Sequence, residues 1–84
     1  MFPRIRTVIP EENYKLLVTF DDGDVVRYDV LDDINTIKEF LPLKNELGLF
    51  NSVRLDESRT CVYWSDRIDL ASDTIKEYGT KVTA

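Results

Sequence analysis

Histidine is absent from the 84-residue sequence, and cysteine occurs once, at Cys61. Histidine is the side chain whose ordinary pKa suits it best to general-base chemistry and metal binding near neutral pH. The residues around Cys61 read as a β-strand, and no histidine is available to activate its thiol. We therefore expect a buried structural thiol, no catalytic residue and no cofactor.

The only tryptophan, Trp64, is followed by Asp66 and Asp69. This corner could serve a small-ligand binder or an enzyme, with the indole as a platform and the carboxylates as polar groups. The alternative is a connector whose aspartates cap turns and the last helix, and we favour it. Trp64 itself is then predicted to be largely buried beside Val53 and Val62, with a partner for its indole N–H.

The segment Asp21-Asp22-Gly23-Asp24 resembles a calcium-binding loop only superficially. A calcium loop supplies ligands at alternating positions and closes with a glutamate. This segment has neither feature, whereas aspartate and glycine are typical of tight turns. We expect a turn here and no metal site.

Acidic residues are concentrated in one part of the chain. Residues 21–33 contain six aspartates and one arginine, a net charge of −5, so the other ten acidic and ten basic residues cancel. Charges on such a surface can steer a basic protein partner during association. The residues proposed to bind this partner are Asp21, Asp22, Asp24, Asp32 and Asp33. The alternative is a solvated face that only aids solubility.

Asp21, Asp22 and Asp24 are positioned by a predicted hairpin that spans Tyr14 to Val30. A three-residue loop, Asp21 to Gly23, places Val18 opposite Val26 and Leu16 opposite Tyr28, so that apolar residues meet at successive pairs. A two-residue turn would place Val18 opposite Arg27 instead, and the apolar pattern favours the first register. The three-residue loop requires Gly23 at positive φ, where glycine has no Cβ penalty.

The segments flanking this hairpin predict one strand and one helix. Arg4 to Ile9 reads as a first strand limited by Pro10. Leu31, Ile34, Ile37 and Leu41 recur at helical spacing, with Phe40 alongside, and we expect this stripe to be core. Asp32 or Asp33 is predicted to cap the helix, and Pro42 to end it. Leu43 to Phe50 reads as a loop with one helical turn after Asn45.

The second half of the chain predicts another hairpin and a short helix. In the hairpin, Val53 to Trp64, Leu55 is expected to pair with Thr60. Ser65 to Ala71 reads as a connector, a helix runs from Ser72 or Asp73 to about Tyr78, and Gly79 ends it. The last five residues are expected to be frayed. The predicted order is β-β-β-α-β-β-α, an α+β fold with a mainly antiparallel sheet of about five strands and two short helices.

Length and composition favour one small domain, residues 1–84. No apolar run reaches the ~18 residues needed to cross a membrane. The sequence MFPRIRTV has no signal-peptide core, and a single cysteine gives no internal disulfide, so we expect a cytoplasmic protein without membrane contact. Direct nucleic-acid binding is disfavoured, because little basic surface exists beyond Arg4 and Arg6.

Several segments resemble an uncharacterised bacterial family, domain of unknown function 2442. They are PRI at 3–5, YKLLVTFDDGDV at 14–25 and WSDRIDLASDTI at 64–75, with Phe40, Leu43, Phe50 and Val53 between them. The sequence departs from the family in a slightly longer span from Phe40 to Phe50 and in Ser72, where the family usually has proline. The resemblance implies no agreed activity, and it implies that some relatives are one half of two-gene modules of toxin–antitoxin type.

Three functional hypotheses follow. The leading one is a non-enzymatic protein-interaction module with a small basic protein partner, and its finer form is the antitoxin-like half of a two-gene module. The second is a ligand binder or enzyme that uses the corner of Trp64, Asp66 and Asp69. The third is a regulator that pairs an exposed edge strand with a partner or forms a homodimer through it.

Overall fold

The computed structural model describes residues 2–82 and contains seven strands and three α-helices. The strands are β1 Ile5–Glu11, β2 Lys15–Phe20, β3 Val25–Asp29, β4 Arg54–Leu55, β5 Cys61–Ser65, β6 Ile68–Ala71 and β7 Thr80–Lys81. The helices are α1 Leu31–Thr36, α2 Pro42–Asn45 and α3 Ser72–Tyr78, with 3₁₀ turns at Lys38–Phe40 and Phe50–Ser52.

The strands form two antiparallel sheets. Sheet A has the order β1-β2-β3-β7, and sheet B has the order β4-β5-β6. The α+β class is confirmed. The expected single sheet of about five strands with two helices is corrected to seven strands in two sheets with three helices, because two segments read as irregular also pair as strands.

The central hairpin has the predicted register. Val18 pairs with Val26 and Leu16 with Tyr28, and the Gly23 N–H donates to the Phe20 carbonyl across the three-residue loop. Gly23 has φ +92°, as the register argument requires. The turn before β2 was not foreseen in detail, since Asn13 and Tyr14 both have positive φ there.

Strand β1 continues past its predicted limit and includes Pro10. The backbone groups of the even-numbered residues of β2 point toward β3, as shown by the Phe20 N–H, which donates to the Asp24 carbonyl. The odd-numbered residues of β2 must then bond β1, so the backbone groups of Val8 and Pro10 point to the open edge. Pro10 therefore loses no ladder bond, which is why an edge strand tolerates it.

The predicted helix from Leu31 to Leu41 is wrong in its length. Helix α1 ends at Thr36, Ile37 is extended with φ −113° and ψ 112°, and Pro42 begins α2 rather than ending a helix. The hydroxyl of Thr36 donates to the Asp32 carbonyl four residues earlier, a contact that competes with helix continuation.

The cap of α1 and the core assignment of its stripe are also corrected. Neither Asp32 nor Asp33 caps the helix; instead an Asp29 carboxylate oxygen accepts the Leu31 N–H at 3.0 Å. Within the stripe Ile34 is buried, but Ile37 and Leu41 are 38% and 41% exposed, because the extended Ile37 turns the chain out of helical phase.

The second hairpin forms, but its register is two residues away from the predicted one. Leu55 pairs with Val62 rather than Thr60, and a slip of two residues leaves every side chain on its face. The predicted connector from Ser65 to Ala71 contains β6, which pairs with β5.

The C-terminal region is more ordered than expected. Helix α3 runs from Ser72 to Tyr78 as predicted. Of the five residues predicted to be frayed, Thr80 and Lys81 form β7 and pair with β3, while residues 83 and 84 lie outside the described part of the chain.

Buried side chains from both sheets, α1 and α3 form one hydrophobic cluster. Trp64 is 7% exposed, and its indole N–H donates to the Phe50 carbonyl at 2.9 Å. Its ring stacks on Phe50 and meets Phe40 edge-on. The predicted burial of Trp64 is confirmed, and its closest aromatic partners come from the segment between the two sheets.

Candidate functional site

The loop of the central hairpin carries three of the five aspartates proposed to bind a partner. Asp21 is bound by Arg59, whose two terminal nitrogens lie 2.8 and 2.9 Å from its two carboxylate oxygens. Arg6 donates to the Asp21 carbonyl at 3.1 Å. The loop is therefore tied to the β4–β5 loop, which supplies Arg59.

Helix α3 and strand β7 supply cations for the other two loop aspartates. Lys76 pairs with Asp22, its amino group also lies 3.6 Å from Asp24, and Lys81 lies 3.2 Å from Asp24. The hydrogen bond from Lys76, followed by that from the Asp24 N–H, lowers the pKa of the Asp22 carboxyl. The same hydrogen bond with Asp22 raises the pKa of Lys76.

These residues make up the tip cluster, with three carboxylates and four cations. Its members are Asp21, Asp22, Asp24, Arg6, Arg59, Lys76 and Lys81. Exposed ion pairs of this kind each contribute little to stability, but together they fix the geometry of a loop. The tip is thus electrically matched within the chain and presents no surplus of negative charge.

Asp32 and Asp33 lie at the other end of β3. Five residues of strand at about 3.3 Å each place them roughly 17 Å from the loop, so the five proposed aspartates do not form one surface. Asp33 accepts a hydrogen bond from the Tyr28 hydroxyl at 2.6 Å. Burial, followed by this carboxylate, raises the pKa of Tyr28.

The segment after α1 exposes apolar side chains beside acidic ones. Ile37 and Leu41 are exposed, and Leu47 is fully exposed. Residues 29–46 contain five acidic side chains and two lysines, a net charge of −3. We call residues 29–46, from the end of β3 through α1 and α2, the acidic–apolar surface.

A cleft of about 440 Å³ borders this surface. Lys38, Glu39, Pro42 and Glu46 line one side, and its apolar floor includes Leu49 and Ile68. Sequence reasoning missed this surface because helical periodicity assigned Ile37 and Leu41 to the core. A usable signal was present in Thr36 and Ile37, two consecutive β-branched residues that disfavour helix.

The second candidate site is not assembled. Trp64 faces the core from β5, whereas Asp69, opposite Tyr63 on β6, is exposed on the other face of sheet B. Asp66 lies in the turn between the two strands. The structure therefore brings neither carboxylate against the indole.

Cys61 lies on the solvent face of sheet B and is half-buried rather than buried. Burial, followed by the carboxylates of Asp69 and Asp56, raises the pKa of its thiol. A raised pKa reduces the thiolate fraction at neutral pH and with it the nucleophilicity of the thiol.

The aspartate-rich loop shows turn chemistry. A carboxylate oxygen of Asp22 accepts the Asp24 N–H at 2.9 Å, as in an Asx turn. Within residues 2–82, no three side chains of the metal-binding types come together as a possible metal site. None of the helices described over the same residues has the length and apolar character of a membrane span.

The protein is a small α+β domain with two antiparallel sheets, three short helices and an acidic sequence. The chain belongs to the family described as protein of unknown function DUF2442, whose model matches residues 5–81. This match confirms the resemblance noted in the sequence. No curated protein and no solved structure matches the chain.

Proposed function

We propose that this protein is a non-enzymatic protein-interaction module that binds a basic, amphipathic segment of a partner protein through the acidic–apolar surface. The observation that carries this proposal is the exposure of Ile37 and Leu41, two residues whose sequence pattern is that of a buried stripe. Burial of apolar side chains of this size under a partner removes apolar surface from water and favours binding.

Charge complementarity defines the partner. The acidic–apolar surface carries a net charge of −3, and Asp32 has no ion pair among residues 2–82. A basic segment would meet opposite charge at the rim and apolar side chains at the centre, the usual anatomy of an interface. Asp32 and Asp33 thus remain partner-facing candidates, while the aspartates of the tip cluster are engaged within the chain.

The family resemblance supports a finer form of this proposal. If the chain is the antitoxin-like half of a two-gene module, the partner is the small basic product of the neighbouring gene. Co-expression of the two genes in the cytoplasm would then yield a complex in which the partner binds the acidic–apolar surface. The two proteins would co-purify from the extract.

The test compares two matched variants for recovery of a partner from the native host. Ile37→Ser combined with Leu41→Ser should abolish recovery, because it removes the apolar centre. Phe2→Ser, which alters a more exposed apolar residue elsewhere, should leave recovery unchanged. Equal recovery by all three proteins, or loss with Phe2→Ser alone, would contradict the proposal.

A second measurement addresses the acidic rim. Asp32→Asn should slow association with the recovered partner and reduce the dependence of the rate on salt, since rim charges act mainly on the association rate. An unchanged rate at low salt would remove Asp32 from the interface.

A further inference from the structure

The side chains of sheet A alternate between a core face and an outer face. The outer face carries ten residues from four strands and lies opposite the core. They are Thr7, Ile9, Glu11, Lys15, Leu17, Thr19, Val25, Arg27, Asp29 and Thr80. All ten are at least partly exposed, so this face is not covered by the rest of the described chain.

These residues form rows across the strands. Thr7, Thr19 and Val25 make one uncharged row. The next row begins with Ile9 and Leu17, which pair directly, and Ile9 is 52% exposed. Arg27 and Thr80 complete this second row, and every residue of the two rows except Arg27 is apolar or carries a hydroxyl.

The charged residues of the face are equally divided between the two signs. Glu11 and Asp29 are acidic and Lys15 and Arg27 are basic, a net charge of zero on a chain whose total is −5. Arg27 bonds Glu11 at 2.8 Å across β2, and this hydrogen bond raises the pKa of Arg27 and lowers that of Glu11. Lys15 and Asp29 lie opposite each other on adjacent strands.

We infer that the outer face of sheet A is the interface of a homodimer. Two copies of an acidic chain repel each other over most of their surface, and this face is a broad one that is neutral. A two-fold axis parallel to the strands places like rows against like rows and puts β2 of one copy over β3 of the other. Lys15 of each copy then meets Asp29 of the second copy, Leu17 meets Arg27, and Thr19 meets Val25.

The area sets the strength of this dimer. Four strands about 4.8 Å apart and three rows about 6.7 Å apart give roughly 400 Å² of projected face per copy. Stable interfaces bury about 800 Å² of accessible surface per partner, and weaker ones bury less. Side chains that protrude from the face add to the projected area, so we expect a reversible dimer with a dissociation constant in the micromolar range.

Sedimentation equilibrium of the wild-type chain between ~5 µM and ~500 µM brackets that range of dissociation constants. The wild type should pass from monomer to dimer, and Ile9→Glu should weaken dimerisation about tenfold or more. Leu47→Glu, a fully exposed leucine outside the face, is the matched control and should dimerise as the wild type does. A wild type that stays monomeric, or equal effects of the two variants, overturns the inference.

The orientation has its own test. Lys15→Glu and Asp29→Lys should each dimerise poorly alone, because each places like charges across the two-fold axis. A mixture of the two variants should form a heterodimer, since every cross-axis pair is then of opposite sign. A mixture as weak as its components would exclude this arrangement. Asp29 belongs to both surfaces, but Ile9 lies outside the acidic–apolar surface, and Ile37 and Leu41 lie outside the outer face of sheet A. Ile9→Glu and the double variant of Ile37 and Leu41 therefore separate dimerisation from partner recovery.

Discussion

Glycine is required at Gly23 and Gly79 for different physical reasons. At Gly23 a Cβ would have open space, and only the positive φ opposes it. At Gly79 the backbone angles suit any residue, but a Cβ would overlap Val26 Cγ1 and lie 2.6 Å from the Ile75 carbonyl. The first requirement is conformational and the second is steric.

The two alanine substitutions should therefore differ in their effect on the free energy of unfolding. Gly23→Ala should cost about 1 kcal/mol, the usual penalty for placing a Cβ in the left-handed region. Gly79→Ala should cost about 1–3 kcal/mol, as expected for overpacking where α3 meets β3. Urea denaturation measures both, and a larger loss for Gly23→Ala would contradict this assignment.

Ser72 carries a buried hydroxyl without a hydrogen-bond partner among residues 2–82. Its backbone N–H, by contrast, donates to the Thr60 carbonyl at 2.9 Å. An unpaired buried hydroxyl loses its bonds to water without replacement. Proline at this position would remove the hydroxyl, but it would also forgo the backbone hydrogen bond to Thr60.

Ser72→Ala should stabilise the protein by about 1 kcal/mol, because it removes an unsatisfied hydroxyl and keeps the N–H. Ser72→Pro should destabilise it, because the bond to Thr60 is lost although proline suits the first position of a helix. Thermal unfolding of both variants is the measurement. If Ser72→Pro stabilised the protein and Ser72→Ala destabilised it, the assignment of an unsatisfied hydroxyl and a needed N–H at this position would be contradicted.

At the scale of elements, the tip cluster joins the central hairpin to the β4–β5 loop, α3 and β7. Since the pKa of Asp22 is lowered from its ordinary value of 3.8, its contribution to stability is present above that pH and is lost as the pH falls below it. The pKa of Lys76 is raised from 10.5, so its contribution is present below that pH and is lost as the pH rises above it.

Asp22→Asn combined with Asp24→Asn should therefore lower the midpoint of thermal unfolding at pH 7 and low salt. The sequence shows these aspartates without the cations that pair with them in the fold. The difference from the wild type should shrink at high salt and below about pH 3. Asp32→Asn is the control and should leave the midpoint unchanged. A difference that is independent of salt would mean that the carboxylates act by other means.

Across the whole molecule, the sequence predicted what short-range patterns determine. The register of the central hairpin follows from its turn and from apolar pairs fewer than twenty residues apart. The partners of the loop aspartates could not be predicted, because Arg59 and Lys76 are 38 and 54 residues away from them in the chain. Strand β7 was missed for the same reason, since two residues acquire strand geometry only through pairing with β3.

The candidate site was predicted in part. The excess of acidic residues was evident from composition, but its division between a matched tip and an open surface depends on tertiary structure. The exposure of Ile37 was hidden because one extended residue shifts the helical phase that periodicity assumes. The buried Trp64 was correctly placed because large aromatic residues flanked by alternating apolar positions belong to a core.

Pro10 lies on the open edge strand β1 and opposes the growth of fibres through that edge. Open-ended fibres grow when sheet edges present donors and acceptors to further copies. On β1 the proline removes one outward donor, and the Ile5 N–H and carbonyl are both engaged by Arg59, so Val8 stands between two blocked positions. Contact through a face closes after two copies, whereas contact through an edge propagates. Pro10→Thr should accordingly raise thioflavin-T-positive aggregation on agitation at high concentration, and Glu12→Thr, in the adjoining turn, should not.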